Sequence, residues 1–222
     1  MIALLGSGKT GSYVRELSNH LEWRIFNSKN TPEYDSLIEC EALIVFVPAP
    51  VLEQYIPLLI KTGIPIICGT TGFEYPKDFA DQIKERNQIW IHANNFSPAM
   101  SVIRNIIKLL GNSEKILEGF EPSILERHHI HKQDSPSETA LHWQKWLGKA
   151  CDIRAEREGD VVGFHQLNFE SELEKIQITH HAKDRSLFAQ GALLALQWVQ
   201  KGLISPGFSQ FESLIDKELE CN

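Results

Sequence analysis

Four cysteines in 222 residues are too few for a disulfide framework, and Cys40, Cys68, Cys151 and Cys221 form no C-x-x-C pair. They read as reduced thiols of the kind kept in the cytoplasm. Long apolar runs are also missing: no stretch approaches the ~18 uncharged apolar residues that a bilayer span needs. Basic residues are in deficit, 22 against 29 acidic ones, for a net charge of −7. A general nucleic-acid binder or a loose binder of anionic membranes usually carries the opposite balance, so neither partner is expected. No internal repeat or low-complexity segment occurs. The opening Met-Ile-Ala-Leu-Leu-Gly lacks a basic stretch and reads as a first strand, not as a signal peptide.

What remains is ordinary globular composition, 42% hydrophobic and 23% charged. A chain of this size buries about 70% of its unfolded surface and can build a core without staples. The first half alternates short apolar runs with amphipathic stretches. The runs are 2–5, 23–26, 42–47, 65–68 and 89–92. Val14, Leu17 and Leu21 follow helical spacing, and 78–87 also reads as helix. Residues 51–61 read as a helix that Pro57 should kink or shorten. Near-continuous apolar strands between helices predict a buried parallel sheet.

Ser97-Pro98 opens a strong helix, with an apolar stripe of Ile103, Ile106, Ile107 and Leu110 and a stop at Gly111. A domain boundary falls near its start. Beyond it, 123–131, 153–157, 161–170 and 173–181 read as strands, the last two as a hairpin. One helix, 137–149, is inserted, and 187–201 is a final apolar helix. The fold class is therefore α/β: a Rossmann-like parallel-sheet domain plus a smaller α+β domain with an open, mostly antiparallel sheet.

Gly6-Ser7-Gly8-Lys9-Thr10-Gly11 fits G-x-G-x-x-G between a predicted strand and a predicted helix. The first glycine permits the turn, the second lets a pyrophosphate approach, and the third lets helix and strand pack closely. Free N–H groups at the helix start then receive the phosphates. The end of the second strand reads Phe26-Asn27-Ser28-Lys29-Asn30, without the acid that commonly binds a ribose 2′-hydroxyl. NADPH is therefore plausible, with Lys29 or Lys9 pairing the 2′-phosphate, and NADH stays open.

Arg127-His128-His129-Ile130-His131-Lys132 puts three histidines and two fixed cations into six residues of an acidic protein. Ser137 follows as a helix cap, with N–H groups that can receive an anion. A carboxylate-bearing substrate suits both features. Histidine can donate a proton near neutral pH, and lysine can hold a carboxylate. A surface loop and a metal site are the competing readings. Against metal, H-H-x-H on a strand sends neighbours to opposite faces, and no H-E-x-x-H occurs.

With these motifs the chain resembles the 4-hydroxy-tetrahydrodipicolinate reductase (dihydrodipicolinate reductase) family. Residues 126–140, ERHHIHKQDSPSETA, are similar to its signature E-x-H-H-x-x-K-x-D-x-P-S-G-T-A. Gly69-Thr70-Thr71-Gly72-Phe73 looks like its G-T-T-G-F, and Ala93-Asn94-Asn95-Phe96-Ser97 like its A-x-N-F-S. Arg157-x-Gly159-Asp160-x-x-Gly163-x-His165, Ile178-Thr179-His180 and Phe188-Ala189-x-Gly191-Ala192 continue the match in the right order.

The resemblance implies a dinucleotide-binding domain, 1–97 with 186–222, and a substrate-binding and oligomerisation domain, 98–185, assembling as a cytoplasmic homotetramer. The implied reaction is NAD(P)H-dependent reduction of 4-hydroxy-tetrahydrodipicolinate, with net loss of water, in the diaminopimelate route to lysine. His128 would be the proton donor and Lys132 its cationic partner. His129, Ser137, Thr139 and the backbone N–H of Glu138 would bind the small dicarboxylate. Gly6, Ser7, Gly8, Lys9, Thr10, Gly11, Lys29, Gly69, Thr70, Thr71, Ala93, Asn94, Asn95 and Phe96 would line the cofactor. The glycine loop is one residue shorter than the family's usual form. Glu138 replaces the glycine of S-G-T and places a carboxylate beside the anion pocket; its side chain is expected to point away. Two other readings stay open: a related oxidoreductase acting on another small carboxylate, and a catalytically silent NAD(P)-binding regulator.

Overall fold

The computed structural model describes residues 1–113 and 115–220. The chain divides into two compact units, Met1–Pro98 with Arg185 onward, and Ala99–Asp184. The first 98 residues run β1 (Ile2–Leu5), α1 (Lys9–Leu17), β2 (Trp23–Phe26), α2 (Tyr34–Ile38), β3 (Leu43–Val45), α3 (Ala49–Thr62), β4 (Ile66–Cys68), α4 (Phe79–Glu85) and β5 (Ile89–His92). The second unit holds α5 (Pro98–Asn112, from Ala99 on), β6 (Glu121–His128), α6 (Glu138–Leu147), β7 (Asp152–Arg157), β8 (Gly163–Glu170) and β9 (Lys175–Ala182). The chain returns to the first unit with α7 (Ser186–Gln200), β10 (Gly207–Gln210) and α8 (Phe211–Glu220).

The first unit is a six-stranded sheet in the order β10-β5-β4-β3-β1-β2, with every pair parallel. Its inner strands β1, β3 and β4 are buried at every position, so they read as unbroken apolar runs. One face packs Ile2, Leu4, Ile44, Ile67 and Ile91 against the small-residue face of α7, Ala189, Ala192 and Ala195. The other packs Leu5, Leu43, Val45 and Trp90 with Leu52, Leu59, Phe79 and Ile83. The strand order reverses between β1 and β3, which is where open parallel sheets leave a crevice at their carboxyl edge.

The second unit is a four-stranded sheet, β7-β6-β8-β9, antiparallel in two pairings and parallel between β6 and β7. Ile124 and Leu167 pack with Met100, Ile107, Ala140, Trp143 and Leu147 of α5 and α6. Glu126 and His128 continue the inward row of Ile124, and His165 continues that of Leu167. The polar groups therefore lie at the end of an otherwise apolar layer.

Four local expectations need correction. α3 spans all of Ala49–Thr62 and Pro57 does not shorten it. Pro57 and Glu53 are both exposed, so water can take the carbonyl that the proline leaves without a partner, while Leu52, Leu59 and Ile60 hold the buried face. Gly111 does not stop α5, which runs to Asn112. It is a close-approach glycine: a Cβ there would lie 2.0 Å from the Leu147 carbonyl oxygen. β6 ends at His128, three residues short of expectation, because Lys132 N–H turns back onto the His129 carbonyl at 3.1 Å. The helix over 187–201 is not final. β10 follows and pairs with β5, and its Gly-Phe-Ser-Gln lacks a strand-like apolar pattern because it is an edge strand.

Cys40, Cys68 and Cys151 are free thiols, and Cys221 lies outside the described residues. Among the described residues no helix is long and apolar enough to cross a membrane.

Candidate functional site

In the first unit the candidate site is made of backbone. Gly6 follows β1 with φ +108°, in the region that favours glycine, and a Cβ would lie 2.2 Å from the Phe46 carbonyl oxygen. A Cβ on Gly11 would lie 2.0 Å from the Gly6 carbonyl oxygen, so the first turn of α1 packs directly on the end of β1. Gly8 differs: a Cβ would meet nothing within 4 Å. Gly8 is also the N-cap of α1 and makes no side-chain cap bond, and the first turn carries no acidic residue. The helix thus offers free N–H groups and a positive dipole end to open space. Ser7, Gly8 and Lys9 are exposed, and Thr10 is half-buried. These features fit a dinucleotide pyrophosphate.

The other expected cofactor residues lie at the same carboxyl edge of the sheet. Lys29 is exposed in the turn after β2, where the Asn27 side chain accepts the N–H groups of Lys29 (2.9 Å) and Asn30 (3.2 Å). Gly69 follows β4 and sits against the Phe46 ring, which a Cβ would meet at 2.2 Å. Thr70 is buried and its hydroxyl donates to the Val47 carbonyl at 2.9 Å. Thr71 and Asn94 are exposed, and Asn95 accepts the Ser97 N–H at 2.9 Å. Ala93 and Phe96 have core side chains, so only their backbone can meet a ligand. His92 was not singled out by sequence. It is buried and joins three segments, through Nε2 to the Thr70 carbonyl (3.1 Å) and Nδ1 to Gln210 (3.2 Å).

In the second unit the site is made of side chains. His128 ends β6, buried, with Nδ1 against the Glu126 carboxylate. Glu126 is fully buried. Its other oxygen accepts Arg157 Nη1 at 3.0 Å and the Ser137 N–H at 3.2 Å. Burial of His128 pushes its pKa down, the carboxylate of Glu126 opposes this, and the positive charges of Lys132 and Arg157 push the same way as burial. His165 lies on β8 directly opposite Glu126, with its ring 5.0 Å from that of His128. Burial first, then positive neighbours, drive its pKa down to about 3, so it is a neutral ring.

Lys132 lies in the turn after β6, 2.7 Å from the Asp134 carboxylate. Burial alone would raise the pKa of Asp134, but the Lys132 ammonium first, then nearby backbone N–H groups including that of Glu138, outweigh it and hold the carboxyl below its ordinary value. The two anion receivers expected from sequence, Lys132 and the Glu138 N–H, therefore both act on one internal carboxylate, which Lys132 contacts directly. Ser137 caps α6: its Oγ accepts the Ala140 N–H at 3.3 Å and lies 3.1 Å from His165 Nε2. Thr139 is half-buried, His129 is half-buried, and His131 and Glu138 are exposed.

Glu126, His128 and His165 each offer a ligand atom within 4.8 Å of the others. Glu126 already accepts from three donors and His165 Nε2 already meets Ser137, while His165 Nδ1 is buried without a hydrogen-bond partner among the described residues. Glu126, Asp134, Arg157 and His165 stood in matched motifs without assigned roles. Glu126 and His128 alternate on one strand and so share a face, a signal that was available. The pairing of His165 with Glu126 depends on strand register, which the sequence does not spell out.

A parallel-sheet unit with an open glycine turn, joined to a mostly antiparallel unit carrying a buried acid–histidine pair, defines the class of two-domain dehydrogenases and reductases. Comparison with known proteins narrows it. The family model for the dihydrodipicolinate reductase C-terminus matches residues 102–215. The 4-hydroxy-tetrahydrodipicolinate reductase of Christiangramia forsetii is 34% identical, over 90% of this chain and 92% of its own. That of Alkaliphilus metalliredigens is 32% identical, over 78% and 77%. A dipicolinate-bound dihydrodipicolinate reductase from a Paenisporosarcina species superposes with a TM-score of 0.74 at 16% identity, covering 96% of this chain and 98% of its own. The chain belongs to the 4-hydroxy-tetrahydrodipicolinate reductase family.

Proposed function

We propose that this protein reduces 4-hydroxy-tetrahydrodipicolinate to tetrahydrodipicolinate in the diaminopimelate route to lysine. The observation that carries the reading is the buried Glu126–His128 pair beside Lys132 and the start of α6, in a member of this family. The enzyme is an oxidoreductase with a nicotinamide cofactor, which supplies a hydride when bound. Gly6, Gly8, Gly11 and the first turn of α1 would hold its pyrophosphate. Lys29 or Lys9 would favour NADPH, since residues 27–30 directly after β2 include no acid to repel a 2′-phosphate.

His128 would carry the proton for the substrate, and Lys132 would receive a substrate carboxylate in exchange for Asp134. That exchange swaps one carboxylate for another on the same cation, so it costs little electrostatic energy. His129, Thr139 and the Glu138 N–H would complete the anion pocket, with Ser137 holding the helix start in place. Glu138 is exposed, which supports the expectation that its side chain points away from that pocket. Cytoplasmic placement fits the free thiols. A homotetramer fits a sheet that, among the described residues, packs its apolar core on the α5 and α6 side.

The test supplies aspartate-semialdehyde and pyruvate through a partner synthase and follows NADPH and NADH absorbance in parallel. Consumption that requires both enzymes supports the assignment. Glu138 favours one second reading, a relative acting on another small carboxylate. Cofactor binding without turnover of the family substrate would favour that reading or a silent regulator.

A further inference from the structure

We propose that Glu126 and Arg157 form one positioning device, which fixes the orientation of the His128 ring and holds the Lys132 turn beside it. The inference rests on the reductase reading for the roles of His128 and Lys132. Its geometric content stands apart from that reading.

Glu126 lies two residues before His128 on β6, so both side chains point to the same face. An ionised carboxylate only accepts hydrogen bonds. His128 Nδ1 must therefore carry a hydrogen toward Glu126, and Nε2 is left to exchange the proton. The residue beside Nε2 is Gly163, where a Cβ would stand 3.3 Å away. A larger residue would crowd the nitrogen that does the chemistry.

Arg157, on β7, spends its guanidinium on four acceptors, one of them the neighbouring Glu156 carbonyl, which Nη1 meets at 2.7 Å. Nη1 donates to Glu126 at 3.0 Å, Nε donates to the Lys132 carbonyl at 3.2 Å, and Nη2 donates to the Asp134 carbonyl. One planar cation thus ties the carboxylate that orients His128 to the turn that carries Lys132. A lysine is a single point charge and cannot reproduce that fork. The charged and titratable groups around His128 come from every strand of the sheet: Glu126 on β6, Arg157 on β7, His165 on β8 with His180 behind it on β9, and Lys132 in the turn. Glu126 is the acidic group among them, so it alone in this set favours the protonated ring.

The first measurement uses the wild-type protein with ¹⁵N-labelled histidine. NMR is expected to find the neutral His128 ring in the Nδ1–H form; the Nε2–H form would overturn the proposal. The second uses variants. Glu126→Gln keeps the shape and removes the charge. It is expected to lower kcat by about 10–100-fold and to move the His128 limb of the pH–rate profile to lower pH, with KM nearly unchanged. Arg157→Lys is expected to raise KM for the dicarboxylate by about 5–10-fold, with a smaller effect on kcat. A merely structural role would lower the melting temperature and leave both profile and KM where they were, and that outcome would sink the idea. If Glu126→Gln does not fold, the wild-type tautomer and the Arg157→Lys split still decide. If the wild-type protein fails to turn over the family substrate, the reductase reading falls, while the tautomer still tests the Glu126 contact.

Discussion

The glycine loop and the β6 cluster solve opposite problems. At the loop, chemistry depends on atoms that are missing: Gly6 and Gly11 let backbone meet backbone, and Gly8 leaves room for a ligand. At β6, chemistry depends on charged side chains in a place where charge is expensive. A buried carboxylate such as Glu126 is tolerated because Arg157, the Ser137 N–H and His128 all donate to it. Leaving such a charge unpaired typically costs about 3–5 kcal/mol. The loop should therefore respond to volume and the cluster to charge. Each half can be probed with substitutions the other would tolerate.

The largest expected effect is on the charge side. His128→Gln preserves size and hydrogen bonding but cannot deliver a proton. Its kcat is expected to fall by about 10²–10⁴-fold, with cofactor affinity unchanged. Steady-state kinetics and cofactor titration check both halves of that statement, and an unchanged kcat would reassign the proton donor. The volume side is sharpest within the loop itself. Gly11→Ala drives a Cβ into the Gly6 carbonyl and is expected to cost about 1–3 kcal/mol of stability. Gly8→Ala meets nothing in the protein, so it should leave urea unfolding unchanged and raise KM for the cofactor. Equal effects of the two on stability would break the distinction.

The two regions also differed in how far the sequence revealed them. The turn after β1 was legible because glycine spacing is local, and three glycines fall within six residues. The inner strands were legible because parallel strands buried on both faces read as apolar runs. β10 was not, since its Phe208 and Ser209 carry no period and its place is set by pairing with Trp90 and Ile91 of β5. The His128–Lys132 stretch stood out by composition in an acidic chain. Its partners did not: Arg157 and His165 reach Glu126 only through strand register, which no short window of sequence contains. Gly111 shows the same limit, because its partner at Leu147 is distant in the chain.

The histidine layer gives a stability signature that the loop lacks. His165 is held neutral by burial, with a pKa near 3 against an ordinary 6.5 when unfolded. Between those values the unfolded chain binds a proton that the folded chain does not. Stability conferred above pH 6.5 is therefore lost as pH falls toward 3, by about 1.4 kcal/mol per pH unit from this group. Urea unfolding at pH 7 and pH 5 should show a shallower pH slope in His165→Gln than in wild type. Identical slopes would mean that His165 gains a proton in the folded state.

The smallest expected effect lies where the two principles meet, at the start of α6. Glu138 is a charge at a position where the family signature has glycine. It occupies the first turn of the helix, where the dipole favours a carboxylate by a few tenths of a kcal/mol. Its side chain is exposed, so water and salt screen it from an anion at the backbone N–H below. Asp134 already seats a carboxylate at Lys132, so the pocket accepts one negative group with Glu138 present. Glu138→Gly should then lower stability by less than about 1 kcal/mol and leave KM for the dicarboxylate unchanged or lowered by about two- to threefold. The gain should be larger at low ionic strength, since only screened repulsion is removed. A tenfold rise in KM would show instead that Glu138 binds substrate directly, and specificity in this chain would then be a matter of side-chain charge at the helix start.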